Sequence, residues 1–265
     1  MQEDVVILLE WLNANGISEL FNDEICNNSS NENDNKIKKN TTTSMIEALA
    51  EQQKEIKSYN QILGKTSEIK NIIDQINTIT KIIEFVNNSE FYNNFRTTAS
   101  NTIVFNGNQN SDIMIINDLP NDLDDIDGNI FSGDSGILLN NMMKSINIEK
   151  SNYCLLNCFF WRLPGNRSPI KEELEICKPL VEKIISIIKP KLIIFTGNYS
   201  ISTIFENNKT LVSTRGKFFD YTNCYLQNNI KITATYSPIF LMKNKIKKRD
   251  AWQDLLKIKD FLNNC

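Results

Sequence analysis

Residues 112–136 read DIMIINDLPNDLDDIDGNIFSGDSG. The opening run, Asp112–Asn117, is apolar, β-branched and too short for a helix, which is the pattern of a strand buried on both faces. It passes directly into a segment dense in Asp and Gly. The same unit recurs three times. Tyr153–Asn157 leads into WRLPGNRSP, Lys191–Thr196 (KLIIFT) into Gly197–Ser200, and Ile230–Thr235 into Tyr236–Met242. Helical spacing fills the intervals at Gly136–Ile146, Ile170–Ile188, Tyr199–Phe205 and Arg249–Leu262, the second opened by a Ser168-Pro169 start signal. Short apolar strands alternating with helices predict an α/β fold. It has three α/β/α layers around a central four-stranded parallel sheet, with right-handed crossovers.

The punctuation is confined to this part of the chain. All six prolines fall between 120 and 238, and seven of the nine glycines between 107 and 216. Outward from it, residues 45–100 carry Ile62, Ile69, Ile72, Ile73, Ile76, Ile79, Ile82 and Ile83 at helical spacing and are predicted to form a helical extension. Residues 22–44 are polar and cannot bury enough surface to offset chain entropy, so a disordered linker is expected there. Residues 1–21 hold a short amphipathic helix over 4–12. The organisation expected is therefore 1–21, 22–44, 45–100 and a main domain over 101–265.

Composition narrows the function classes. The formal charge of −3 argues against a general nucleic-acid coater, although a local basic patch remains allowed. No stretch approaches the ~20 apolar residues that span a bilayer, and the acidic start does not read as a signal peptide. A cytoplasmic monomer is expected. The cysteines at 26, 154, 158, 177, 224 and 265 form no C-x-x-C pair and are read as thiols in a reducing compartment. There is no histidine, which removes the usual general base, the usual metal ligand and any Ser-His or Cys-His nucleophile pair.

In a parallel sheet of this kind the ligand lies beyond the carboxyl ends of the strands. That places the chemistry in 117–136, 157–169, 197–200 and 236–242. Three of these segments are unlike ordinary loops. The first carries Asp118, Asp122, Asp124, Asp125, Asp127 and Asp134; the second is WRLPGNRSP; the last, YSPIFLMKNKIKKR, ends with five basic residues in seven.

These segments resemble the family 4 uracil-DNA glycosylases, in the branch typical of alphaproteobacteria. That family carries G-E-A-P-G, an E-D pair and P-F-V-G-x-x-G. Here NDLPNDLDDIDGNIFSGDSG aligns without gaps through Pro120, Asp125, Gly128, Phe131, Gly133 and Gly136, with Asp124 in place of the Glu. LNCFFWRLPGNRSP matches T-N-x-x-x-W-R-P-P-G-N-R-x-P, EELEICKPLVE matches the helix that follows, RGKF at 215–218 matches R-G-x-W/F, and SPIFLM stands where the family has H-P-A-Y-L-L. The match covers about 100–265, with a weaker echo in EWLNANGISEL.

The resemblance implies hydrolysis of the N-glycosidic bond of deoxyuridine in DNA, with the base rotated out of the stack. Phe131 is then the platform for the base, the competing reading being an ordinary core Phe. Asn157 is the reader of the base edge, or else a strand-end Asn in a local turn. The backbone amides of Asp118 and Leu119 form an anion pocket. Asp124 and Asp125 orient water or stabilise an oxocarbenium-like sugar, or are simply solvated. A divalent metal is a further use for so many carboxylates, but their spacing matches no EF-hand. Arg162, Asn166 and Arg167 are phosphate clamps or loop organisers, and Ser168 caps the next helix. Arg215, Lys243, Lys245 and Lys247, with Lys248 and Arg249, are the basic groups expected to meet DNA, and Leu241 or Met242 is the candidate wedge into the duplex.

Three departures from the family matter. Ser237 replaces the His that would donate to the leaving base. Asn117 and Asn121 replace glycines, and Leu119 an alanine, in the opening loop. The family's four-cysteine iron–sulfur cluster aligns with Glu90, Asn93, Trp161 and Cys177, of which only Cys177 can supply a thiolate, so no cluster is expected. Two other functions stay open at this point: a catalytically inactive DNA-binding member of the same superfamily, and a structural protein that binds a partner through its N-terminal helices.

Overall fold

The computed structural model describes residues 64, 66–205 and 209–264. The short helix expected at 1–21, the linker at 22–44 and the first part of the helical extension lie outside the described residues.

Among the described residues the sheet has six strands. β1 is Phe105–Gly107, β2 Ile113–Asn117, β3 Tyr153–Asn157, β4 Leu192–Phe195, β5 Phe219–Tyr221 and β6 Ile230–Ala234, in the order β1-β3-β2-β4-β6-β5. The four parallel strands expected from the apolar runs, β3, β2, β4 and β6, form its centre. The strand count is corrected from four to six because two antiparallel edge strands complete the sheet, β1 beside β3 and β5 beside β6. These have three residues each and only part-buried patterns, so neither carries a readable apolar run. β2, β3 and β4 are buried along their whole length, as expected of strands covered on both faces.

The helices are α1 Ile79–Asn88, α2 Asn93–Arg96, α3 Asp122–Asp127, α4 Asp134–Lys144, α5 Lys171–Ile188, α6 Asn198–Ile204, α7 Leu211–Thr214, α8 Pro238–Lys243 and α9 Lys248–Asn263. α3 lies inside the Asp-rich segment that reads as loop. Asn121 caps it by accepting from the amides of Leu123 and Asp124, and Gly128 ends it at φ 68°. α5 is not capped by Ser168. Its first turn is closed by Glu173, whose carboxylate accepts the Ile170 amide at 3.0 Å.

The described part of the helical extension shares one core with the sheet. Ile69, Ile73, Ile79, Ile82 and Val86 are all buried in it, and α1 packs on α5. Lys183 of α5, buried, donates to the Asp74 carbonyl at 3.2 Å, where a helical stretch over 66–73 ends. A cation is favourable there because it meets the negative end of the helix dipole. Among the described residues no helix is long and apolar enough to cross a membrane.

Candidate active site

The tips of β2 and β3 carry two buried amides side by side. Asn117 Nδ2 donates to Asn157 Oδ1 at 2.9 Å and to the Leu119 carbonyl at 2.9 Å, while Asn157 Nδ2 donates to the Ile103 carbonyl at 2.8 Å. The strand register itself places the pair, since Asn117 and Asn157 are the last partners of the β2–β3 ladder. Asn157 is wholly buried, so reading a base edge requires it to exchange one of these bonds for one to the base. One residue on, the Asp118 carboxylate turns away and accepts the Ser200 amide at 2.8 Å, capping α6. Burial raises its pKa, against the opposing pull of the amides of Ser200, Tyr199 and Asn198. Gly197 makes the approach feasible, because a Cβ there would come within 2.0 Å of the Asp118 carboxylate. The backbone amides of Asp118 and Leu119 have no acceptor among the described residues. Two consecutive free N–H groups at a strand tip form a nest for an anionic oxygen.

Asp124 and Asp125 of the acidic segment are buried, whereas Asp122, Asp127 and Asp134 are exposed. Asp124 is fully buried: Oδ1 accepts the Ser132 amide at 2.6 Å and Oδ2 the Asn121 amide at 3.1 Å. Burial raises its pKa. Asp125 accepts the amides of Ser100 (2.9 and 3.1 Å) and Asn101 (2.9 Å) and the Nε–H of Arg162 (3.2 Å). Burial alone would raise its pKa, but those amides and the guanidinium prevail and hold it below the usual carboxylate range. Asp124 thus clamps the loop that carries Phe131, and Asp125 ties that loop to the chain before β1. Phe131 is buried, in a left-handed backbone at φ 56°. It lines a cavity of about 450 Å³ with Tyr153 and Leu155 of β3, and Asn157 is not among that cavity's walls.

Arg162, half-buried, and Asn166, exposed, are both tied to Asp122. Arg162 donates to Asp122 at 3.0 Å, and Asn166 donates to the other Asp122 oxygen at 2.7 Å. Arg167 makes a two-pronged pair with Glu173 at 2.6 and 2.8 Å.

At the tip of β6, the Ser237 hydroxyl oxygen accepts the Phe240 amide at 3.1 Å and caps α8, leaving its hydrogen free to be donated. Arg215 is paired with the buried Asp254. Leu241, a wedge candidate from sequence, is 1% exposed and belongs to the core, so it is removed from that role. Met242 is exposed. Lys243, Lys245, Lys248 and Arg249 are exposed, and Lys247 pairs with Asp250 at 3.1 Å. Between Lys245 and Lys247 stands Ile246, 90% exposed. Sequence reasoning missed it, although an isoleucine flanked by lysines in a segment otherwise basic was a readable signal.

Residues 104–256 of the chain match the Uracil DNA glycosylase superfamily. The chain belongs to that superfamily. Curated relatives agree. The Type-4 uracil-DNA glycosylase of Sulfurisphaera tokodaii is 31% identical over 171 residues, covering 63% of this chain and 76% of the relative. That of Saccharolobus solfataricus is 29% identical over 62% of this chain and 77% of its own length, and that of Thermotoga maritima 26% identical over 62% and 84%. Identities in this range fit a divergent family 4 member of the uracil-DNA glycosylase superfamily.

The residues at the aligned cluster positions do not fit a four-thiolate iron–sulfur group. Glu90 and Asn93 are exposed, and the side chains that reach Trp161 are Tyr92 and Phe95, each stacked on it with ring centroids 5.2 Å apart. Phe159 and Phe160 close the same cluster of rings, and Trp161 Nε1 donates to Thr102 at 3.0 Å. Cys177 and Cys158 are buried beside it. Burial pushes the Cys158 thiol up to about 12 and raises Cys177 too. The Tyr92 hydroxyl is buried without a partner. Among the described residues no group of three or more His, Cys, Asp or Glu could hold a metal. In this member of the superfamily, the stacked rings of Tyr92 and Phe95 join α2 and the turn before it to the loop after β3. Trp161→Ala is expected to cost ~3–5 kcal/mol of unfolding free energy in a urea titration. Added iron and sulfide should restore none of it, and a restored midpoint would refute the reading.

Proposed function

We propose that this chain hydrolyses the N-glycosidic bond of deoxyuridine in DNA. It acts as a monomer on an extruded base, more slowly than family members that keep the leaving-group histidine. The observation that carries the reading is the pair of unpartnered amides of Asp118 and Leu119, beside the Asn117–Asn157 pair. Together they offer an anion nest for the O2 of a departing uracil and an amide for its edge. The names of the curated relatives point to the same substrate. Phe131 is the ring proposed for the base, and because the cavity it lines excludes Asn157, the loop that carries it must shift for ring and edge reader to meet one base. Asp124 and Asp125 act mainly by holding the loop, and the developing positive charge on the sugar lies in their field. Lys243, Lys245, Lys248 and Arg249 grip phosphates, and the wedge falls to Met242 or Ile246.

The test is release of uracil from a single strand containing deoxyuridine, read as alkali-labile abasic sites. Asn157→Ala should lower the single-turnover rate by about 10²-fold, since a buried amide that reads the substrate edge is lost. Removing Lys243, Lys245 and Lys248 together should flatten the dependence of log affinity on log salt by roughly 0.7 for each phosphate no longer neutralised. No abasic product at large enzyme excess would reject the reading.

One observation favours a second function, DNA binding without turnover. Both candidate catalytic carboxylates have their oxygens engaged by the protein, and Ser237 cannot carry positive charge. That reading predicts salt-sensitive binding to uracil-containing or abasic DNA with no product.

A further inference from the structure

Asp254 lies on the closing helix α9 and is 2% exposed. Its Oδ2 accepts the Arg215 Nε–H at 3.0 Å and the Thr235 hydroxyl at 3.1 Å. The guanidinium held in this way lies 4.8 Å from the centre of the Tyr236 ring, and Tyr236 in turn stacks on Phe240 with centroids 4.9 Å apart. Ser237 stands between those two rings in the chain and accepts the Phe240 amide. A continuous line of contacts therefore runs from α9 to the hydroxyl at the tip of β6. Arg215 has little room to retreat. Gly216 follows it at φ 63°, its amide donates to the Ala234 carbonyl at 3.0 Å, and a Cβ on it would come within 2.6 Å of Asp254 Oδ1.

We propose that Asp254 is a positioning residue for the Ser237 end of the site: by holding Arg215 against Tyr236 it fixes the backbone that aims the Ser237 hydroxyl and launches the basic 243–249 segment. This rests on the glycosylase reading above. Charge is what makes the line tight, because the bonds that Arg215 and Thr235 both give to Oδ2 are charge-assisted while the carboxylate is ionised and weaken when Oδ1 takes a proton. Burial pushes Asp254 up to about 6, against Arg215, Thr235 and the nearby Lys257, so the line loosens in mildly acid solution. The other charged groups around it are Lys257 on the same helix, and Lys247 and Asp250 facing Arg215 and Tyr236. The Lys247–Asp250 pair raises the first and lowers the second, which moves both away from the pH at which Asp254 changes charge.

Asp254→Asn keeps the shape and removes the charge. With a uracil-containing single strand, kcat at neutral pH is expected to fall on the order of tenfold, with KM nearly unchanged, since the group misplaced acts at the chemical step. The acid limb of the wild-type kcat profile near pH 6 should be absent from the variant. Wild-type kcat and an intact acid limb in Asp254→Asn would overturn the proposal. Should that variant not fold, Arg215→Lys keeps a cation for Asp254 but removes the planar group over Tyr236. It is expected to lose kcat similarly, and full kcat would overturn the proposal. If the wild type releases no uracil, the glycosylase reading fails separately, and the positioning claim is read by proteolysis. Trypsin should cut the 243–249 segment several-fold faster in Asp254→Asn than in wild type at neutral pH, and equal rates would overturn it.

Discussion

Ser237→His is expected to raise the single-turnover rate of uracil release by about 10²–10³-fold. Expulsion of uracil leaves negative charge on the base, and a donor aimed at that charge acts only in the transition state, so its whole effect appears in the chemical step. The serine hydroxyl can donate, but it is short and neutral. Its oxygen is also already committed to the Phe240 amide as the cap of α8. An imidazole from the same backbone reaches further and can carry a proton. Losing the cap should cost about 1 kcal/mol of stability. The signature is therefore a faster and slightly less stable protein, measured by abasic-site formation and by urea midpoint on one preparation. A correctly folded variant with an unchanged rate would show that the tip of β6 does not face the leaving base.

Asp125→Ala is expected to lower stability by about 3–5 kcal/mol, nearer the lower figure because Arg162 keeps some exposure. The substitution strands the amides of Ser100 and Asn101 and the Nε–H of Arg162 together. Asp125→Asn retains one acceptor and should cost roughly half as much. Comparing the two separates scaffolding from chemistry: a stable Asp125→Asn protein that loses more than about 10²-fold in rate would give Asp125 a direct part in catalysis. The pH dependence has a definite sign. Asp125 is held below its ordinary range, so its contribution is present at neutral pH and disappears as the pH falls below the ordinary carboxylate range. Asp124 and Asp254, both raised by burial, favour the fold when protonated and lose that contribution as the pH rises.

The central sheet was legible because four short, largely apolar runs alternate with helical spacing, and the positions of the loops followed from strand polarity. β1 and β5 were not legible, since three residues such as Phe105, Asn106 and Gly107 leave no periodicity to detect. Asp124 and Asp125 illustrate a different limit. Their types and spacing suggest chemistry, but whether a carboxylate is free depends on amides brought to it from Ser100, Asn101 and Ser132, and Ser100 and Asn101 are more than twenty residues away from Asp125. Arg162 and Arg167 read in the sequence either as phosphate clamps or as loop organisers for the same reason; in the fold they pair with Asp122 and Glu173. Counting two residues past the aligned Glu90 and Asn93 reaches Tyr92 and Phe95, whose rings face Trp161. A gap of that size is invisible without the helix that positions them.

The rings around Trp161 also bear on where such a protein can work. A joint made of carbon packing against carbon needs no delivery of inorganic parts after synthesis, and peroxide or a chelator finds nothing in it to extract. Assembly of this joint is complete when these residues have folded, so the yield of folded protein is expected to track translation and hold steady under iron starvation.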